Sequence, residues 1–200
     1  MNNKWKNLIL ILTSILLIFG TMQAKKKYAQ YQNTDRYVLS LMNRELVTNG
    51  MSNYSELNRL LKELDRGSIS MTQFESGLLD VVKDLDRAEL AEYTLANTHW
   101  NYTYDQPIGA NDITGFLTYI SYKLKYIALS DNDEAKVEAV KELKEIFLTL
   151  ENNLDRERMI SGNYPSIKNS WTAALKAVYK EHGDSDLVKS FFENNERYTK

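Results

Sequence analysis

The sequence predicts an all-α protein: a helical bundle of six or seven helices behind an N-terminal membrane-anchor helix. Three observations carry that prediction. Apolar residues recur at three- and four-residue spacing along most of the chain, and no segment sustains the two-residue alternation of a strand. Gly50, Gly67, Gly109, Gly162 and Gly183 each fall where an apolar pattern stops, as glycines do after helix C-termini. The first 27 residues form a unit of their own, with lysines on both sides of an apolar run.

That first unit reads "LILILTSILLIFGTM" from Leu8 to Met22, after Lys4 and Lys6 and before Lys25, Lys26 and Lys27. An uncleaved anchor fits it better than a cleaved signal. Met22 is too large for a cleavage motif ending at Ala24, and three lysines follow at once. From Lys6 to Lys25 a helix would reach about 30 Å, enough to span if both lysines snorkel to the headgroups. A short lysine-bearing tail stays in the cytoplasm, which places the rest outside the plasma membrane. The alternative is a secreted protein released by cleavage.

Residues 28–200 then form a single helical domain. Five of the 25 basic residues and none of the 27 acidic ones precede position 28, which leaves 20 against 27, a net −7. So acidic a domain is a poor candidate for binding nucleic acid. There is no cysteine, hence no disulfide, thiolate nucleophile or thiolate metal cluster.

The helices follow in order. The first is expected over 29–48. The second, 53–65, carries Leu57, Leu60, Leu61 and Leu64 on one face. The third runs to about Asn97 from Thr72, which with Glu75 spells a capping box. It repeats Phe74, Leu78, Val81, Leu85 and Ala88 in heptad steps. The fourth spans about Asp112 to Leu129. The fifth, 133–158, has a narrow seam of Val140, Leu143, Phe147, Leu150 and Leu154, with Lys141 placed to pair with Glu145. The sixth follows Pro165, a first-turn residue, and contains Trp171, Leu175 and Val178. The seventh, 185–196, holds Leu187, Val188, Phe191 and Phe192.

Few residues are arranged for chemistry. The turn "KELDRGSISMTQFE" imitates a calcium loop, but Lys62, Leu64 and Arg66 stand where anionic ligands belong, so calcium binding is not expected there. Asp80 and Asp84 share a face four residues apart, which reads as a solvated face opposite the apolar one. His182 suits a helix C-terminus, where a cation meets the dipole favourably. His99 lies in the connection "ANTHWNYTYDQPIGAND", close in sequence to Trp100, Tyr102, Tyr104 and Asp105.

On a wheel of 100° per residue, Ile113, Leu117, Ile120, Leu124 and Ile127 of the fourth helix share one side. Tyr119, Tyr122 and Tyr126 share nearly the opposite side. Those tyrosines, with His99, Trp100, Tyr102 and Tyr104, are the candidate partner-binding residues, since such rings tolerate water at one end. Within the set, Tyr119 and Tyr126 are expected to be mostly packed and Tyr122 the most exposed. The function expected is non-enzymatic: a membrane-tethered interaction domain, accessory to an envelope complex, with no cofactor and no metal. The alternatives are a hydrolase working through carboxylates and tyrosines beside His99, or a secreted small-ligand binder.

Overall fold

Every regular element among the described residues of the computed structural model is a helix; none is a strand. The described residues are 17–30, 41, 44–95, 113–161 and 164–199. By internal contacts the chain divides into two compact units, Met1–Leu39 and Ser40–Lys200.

In the first unit, residues 17–30 form a helix, α1, on which Leu17, Ile18, Phe19 and Met22 are exposed. Among the described residues no helix is long and apolar enough to cross a membrane. The other part of the expected anchor, residues 1–16, lies outside them.

The second unit opens with a π-helix, Leu46–Met51. The expected 29–48 helix falls partly outside the described residues, and the expected stop at Gly50 is corrected. Gly50 is inside the π-helix and buried, and a Cβ there would come within 2.8 Å of the Ala88 Cβ. It is a glycine of close approach rather than a terminator. The terminator is Asn53, 4% exposed, whose amide donates to the carbonyls of Asn49 and Gly50 at 3.0 and 3.4 Å.

Asn53 makes no side-chain cap for the helix it precedes, α2 (Tyr54–Asp65). Glu151 accepts from the Tyr54 N–H instead, at 3.3 Å. Thus a carboxylate from 97 residues away meets a helix N-terminus, where negative charge is favoured. Helix α2 ends as expected at Gly67, whose φ of +66° is the left-handed conformation that lets Gly67 and Ser68 donate back to Leu64 and Glu63. Of its four face leucines only Leu57 and Leu60 are buried; Leu61 and Leu64 are half-buried.

Helix α3 (Met71–Leu95) begins one residue before the expected Thr72. Its capping box is Ser70 and Gln73: the Gln73 N–H donates to Ser70 Oγ at 3.3 Å, and the Ser70 N–H to Gln73 Oε1 at 2.8 Å. Glu75 is released from that role and accepts from Lys136. The expected core face holds, with Phe74, Leu78, Val81, Leu85 and Ala88 each 1% exposed or less.

Helix α4 (Ile113–Ala128) packs chiefly on α3, and α5 (Asp133–Asn153) on α2 and on α7 (Tyr164–His182). The expected 133–158 helix breaks at Leu154, whose ψ of 128° is extended. Asp155 forces the restart: its N–H donates to Ser170 Oγ at 2.9 Å, and its carboxylate accepts from the Arg158 N–H at 3.1 Å. A short helix, α6 (Arg156–Ser161), follows. The expected Lys141–Glu145 pair is replaced by Lys141–Glu138 at 2.6 Å and Lys144–Glu145 at 2.8 Å. The seam Val140, Leu143, Phe147, Leu150 and Leu154 is buried throughout.

Helix α7 carries Trp171, Leu175 and Val178 into the core, each 0% exposed, and ends at His182. Thr149 of α5 ties that end down, with Oγ1 donating to Glu181 at 2.9 Å and standing 2.9 Å from His182 Nε2. The expected 185–196 helix is shorter: a turn from Ser185, then α8 (Lys189–Glu193) and a 3-10 helix, Glu196–Tyr198. Leu187, Val188, Phe191 and Phe192 are buried as the pattern predicts.

Candidate functional site

Helix α4 has one buried side. Phe116, Leu117, Ile120 and Leu124 are all 0% exposed, and Ile127 is 8%. The tyrosines opposite do not share one fate. Tyr119 is half-buried, its ring 5.7 Å from that of Phe191 and capped by the Lys123 ammonium at 5.5 Å. Its hydroxyl is buried with no hydrogen-bond partner among the described residues.

Tyr122 and Tyr126 are 71% and 75% exposed. The expectation that Tyr126 would be packed is corrected. Phe191 and Tyr198 of the C-terminal segment stack 6.0 Å apart, with Phe191 against Phe116 and Tyr119. That segment covers the Tyr119 edge of the helix and stops short of Tyr126.

One neighbour enlarges the exposed surface. Leu129, just past α4 and 66% exposed, is seven residues beyond Tyr122 and so on the same side. Leu90 of α3, also 66% exposed, lies one turn beyond Asp86, whose carboxylate accepts from Ser121 of α4 at 2.6 Å. Ala88 is level with Leu117 and Asp86 with Ser121, so α3 and α4 run antiparallel and Leu90 lies toward the start of α4, away from Tyr126 and Leu129. Neither leucine was singled out from sequence. The register of Leu129 with Tyr122 and Tyr126 was a legible signal.

The charges carried by α4 itself have one sign. Lys123 and Lys125 are the only charged residues of α4, and Lys125 pairs with no carboxylate among the described residues. Lys123 is engaged with the Tyr119 ring and with the Asp186 carbonyl at 3.4 Å. The face is thus two phenols and an aliphatic side chain beside the Lys125 ammonium.

The other candidates are separated from it or fall outside the description. His99, Trp100, Tyr102, Tyr104 and Asp105 lie outside the described residues. Compared with protein-family models, with curated proteins and with solved structures, the chain matches none. Asp80 pairs with Lys83 at 2.7 Å and Asp84 with Arg87 at 3.1 Å, all on the solvated side of α3. Among the described residues no group of three or more histidines and carboxylates could hold a metal ion.

His182, at the C-terminus of α7, borders a polar cleft of about 540 Å³ with Glu142, Glu181 and Asp184. Its one close side-chain partner among the described residues is Thr149, itself 7% exposed and used to join two helices. That arrangement clamps α5 to α7.

Proposed function

We propose that this chain is a non-enzymatic interaction domain that engages a protein partner through the Tyr122–Tyr126–Leu129 face of α4. Residues 1–27 anchor it in a membrane with the domain outside the cytoplasm, as an accessory component of an envelope complex. The observation that carries the interaction reading is the exposure of both rings, 71% and 75%, on a helix whose other side is sealed in the core. Large apolar side chains left in water side by side mark contact surfaces more often than isolated ones do. Tyrosine is favoured there because its ring buries area while its hydroxyl stays hydrated.

The anchoring reading is supported by the apolar run Leu8–Met22 between lysines. Protease added to intact cells or protoplasts should digest the domain. Digestion only after the membrane is opened would reverse the orientation, and recovery of the domain in the medium with a new N-terminus near Lys25 would replace the anchor with a cleaved signal. The interaction reading is tested by placing a photo-cross-linker at position 126, as set out at the end of the Discussion.

A further inference from the structure

A second feature, remote in sequence from the tyrosine face and independent of its reading, lies where α2 crosses α5. The sequence places four leucines of α2 on one side, yet packing on α5 and α3, with Leu60 against Gly77, seals only Leu57 and Leu60. Leu61 and Leu64, with Val137 of α5, stay half-buried and line an open groove of about 460 Å³. Lys62, Lys141 and Lys144 line the same groove, against a single carboxylate, Asp65. Its lining is net positive by two, three lysines less one aspartate, on a domain that is net negative.

These cations are available. Lys62 makes no ion pair among the described residues. Lys141 holds Glu138 at 2.6 Å, and Lys144 holds Glu145 at 2.8 Å, but neither glutamate lines the groove. Both Lys141 and Glu138 are more than half exposed, and an exchange of one such screened pair for another anion is nearly neutral.

Size decides the class of occupant. The groove runs from Asn58 to Asp65 on one helix and from Val137 to Lys144 on the other, about 10 Å at the helical rise. A volume of 460 Å³ falls in the range of small-molecule sites. A stable protein contact needs on the order of 1,000 Å² or more, which two turns of two helices do not offer.

The geometry points to a binding site for a small anionic amphiphile, with its phosphate or carboxylate among Lys62, Lys141 and Lys144 and its apolar part on Leu61, Leu64 and Val137. The same chemistry could be presented by a soluble alkyl phosphate or by the headgroup end of an anionic lipid.

The test follows the methyl resonances of Leu61, Leu64 and Val137 in the full chain held in phosphatidylcholine nanodiscs. Hexyl phosphate should shift all three saturably, whereas hexanol and inorganic phosphate, each carrying half of the chemistry, should not saturate over the same range. The double variant K62Q/K141Q, at two exposed positions, should weaken hexyl phosphate by about ten-fold or more without lowering the melting temperature. Discs containing phosphatidylglycerol that move the same methyls would identify lipid as the source; unmoved methyls there, with hexyl phosphate still saturating, would identify a soluble ligand. Equal binding of hexanol, unchanged affinity in K62Q/K141Q, or no saturable shift with hexyl phosphate would each overturn the assignment.

Discussion

The ammonium of Lys136, on α5 and 1% exposed, donates a hydrogen bond to the carboxylate of Glu75 on α3 and stands 3.4 Å from Asp133. Burial by itself would lower the pKa of this ammonium. The hydrogen bonds and charge of Glu75 and Asp133 outweigh it and leave the pKa raised above the ordinary 10.5. A buried lysine is therefore kept charged by two carboxylates that remain partly in water.

From that pair, Lys136→Ala should cost about 3 kcal/mol, the low end for breaking a buried pair because Glu75 keeps a third of its side chain exposed. Lys136→Met with Glu75→Gln, which keeps volume and removes both charges, should recover most of the loss. Urea melts of the single and double variants give the coupling. Since the folded ammonium titrates above 10.5, its contribution is complete below 10.5 and disappears as pH rises through the higher folded value.

Glu151 gives the opposite slope. Burial raises its pKa above the ordinary 4.5, and the Tyr54 N–H and the Arg156 charge only partly offset that rise. The folded state thus binds more protons than the unfolded one above pH 4.5, so this carboxylate lowers stability as pH climbs through that window. Glu151→Gln keeps an acceptor for Tyr54 and removes the slope. Its stability relative to wild type should improve between pH 4 and pH 7 in melts at both values. A relative loss at pH 7 would mean that the Arg156 bridge at 3.3 Å outweighs burial.

The start of α3 separates two neighbouring residues. Ser70→Ala should cost about 1 kcal/mol as a lost N-cap, and Thr72→Ala, exposed and outside the cap, within about 0.5. Equal losses would restore the Thr72–Glu75 box.

Gly50→Ala should destabilise by about 1–3 kcal/mol, because its new methyl would stand 2.8 Å from the Ala88 Cβ and 3.2 Å from a Leu117 methyl. A thermal melt with no shift would show that the π-helix can move away.

What the sequence made legible, and what it hid, divides along one physical line. Periodicity alone placed Phe74, Leu78, Val81, Leu85 and Ala88 in the core, as well as the Val140–Leu154 seam, because any helix buries its apolar side. The end of α2 at Gly67 was legible because the left-handed turn needs that residue. Features set by distant partners were hidden. Asp155 breaks a continuous helical pattern because Ser170 is there to receive its N–H. Leu61 and Leu64 stay half-buried, lining a groove with Val137 of α5 rather than the core. The wheel grouped Tyr119 with Tyr122 and Tyr126, but only the C-terminal Phe191 could separate Tyr119 from them. Local chemistry was readable; packing partners were not.

That division bears on the tyrosine face. Tyr122→Ala and Tyr126→Ala should each cost the isolated domain under about 1 kcal/mol, since little of either ring is packed. Phe116→Ala, at 0% exposure against Trp171 and Phe191, should cost about 3–5 kcal/mol. Denaturant midpoints that group Tyr126 with Phe116 would mean the ring is packed after all.

The most direct test of the interaction account is cross-linking in intact cells from a photoreactive side chain at position 126, against the same group at Asn152 and Glu193, both exposed and on other helices. The account predicts one discrete protein adduct from position 126, absent from the two controls and lost when Tyr122 and Leu129 are also replaced by alanine. No protein adduct at 126, lipid adducts only, or the same products from all three positions would contradict it.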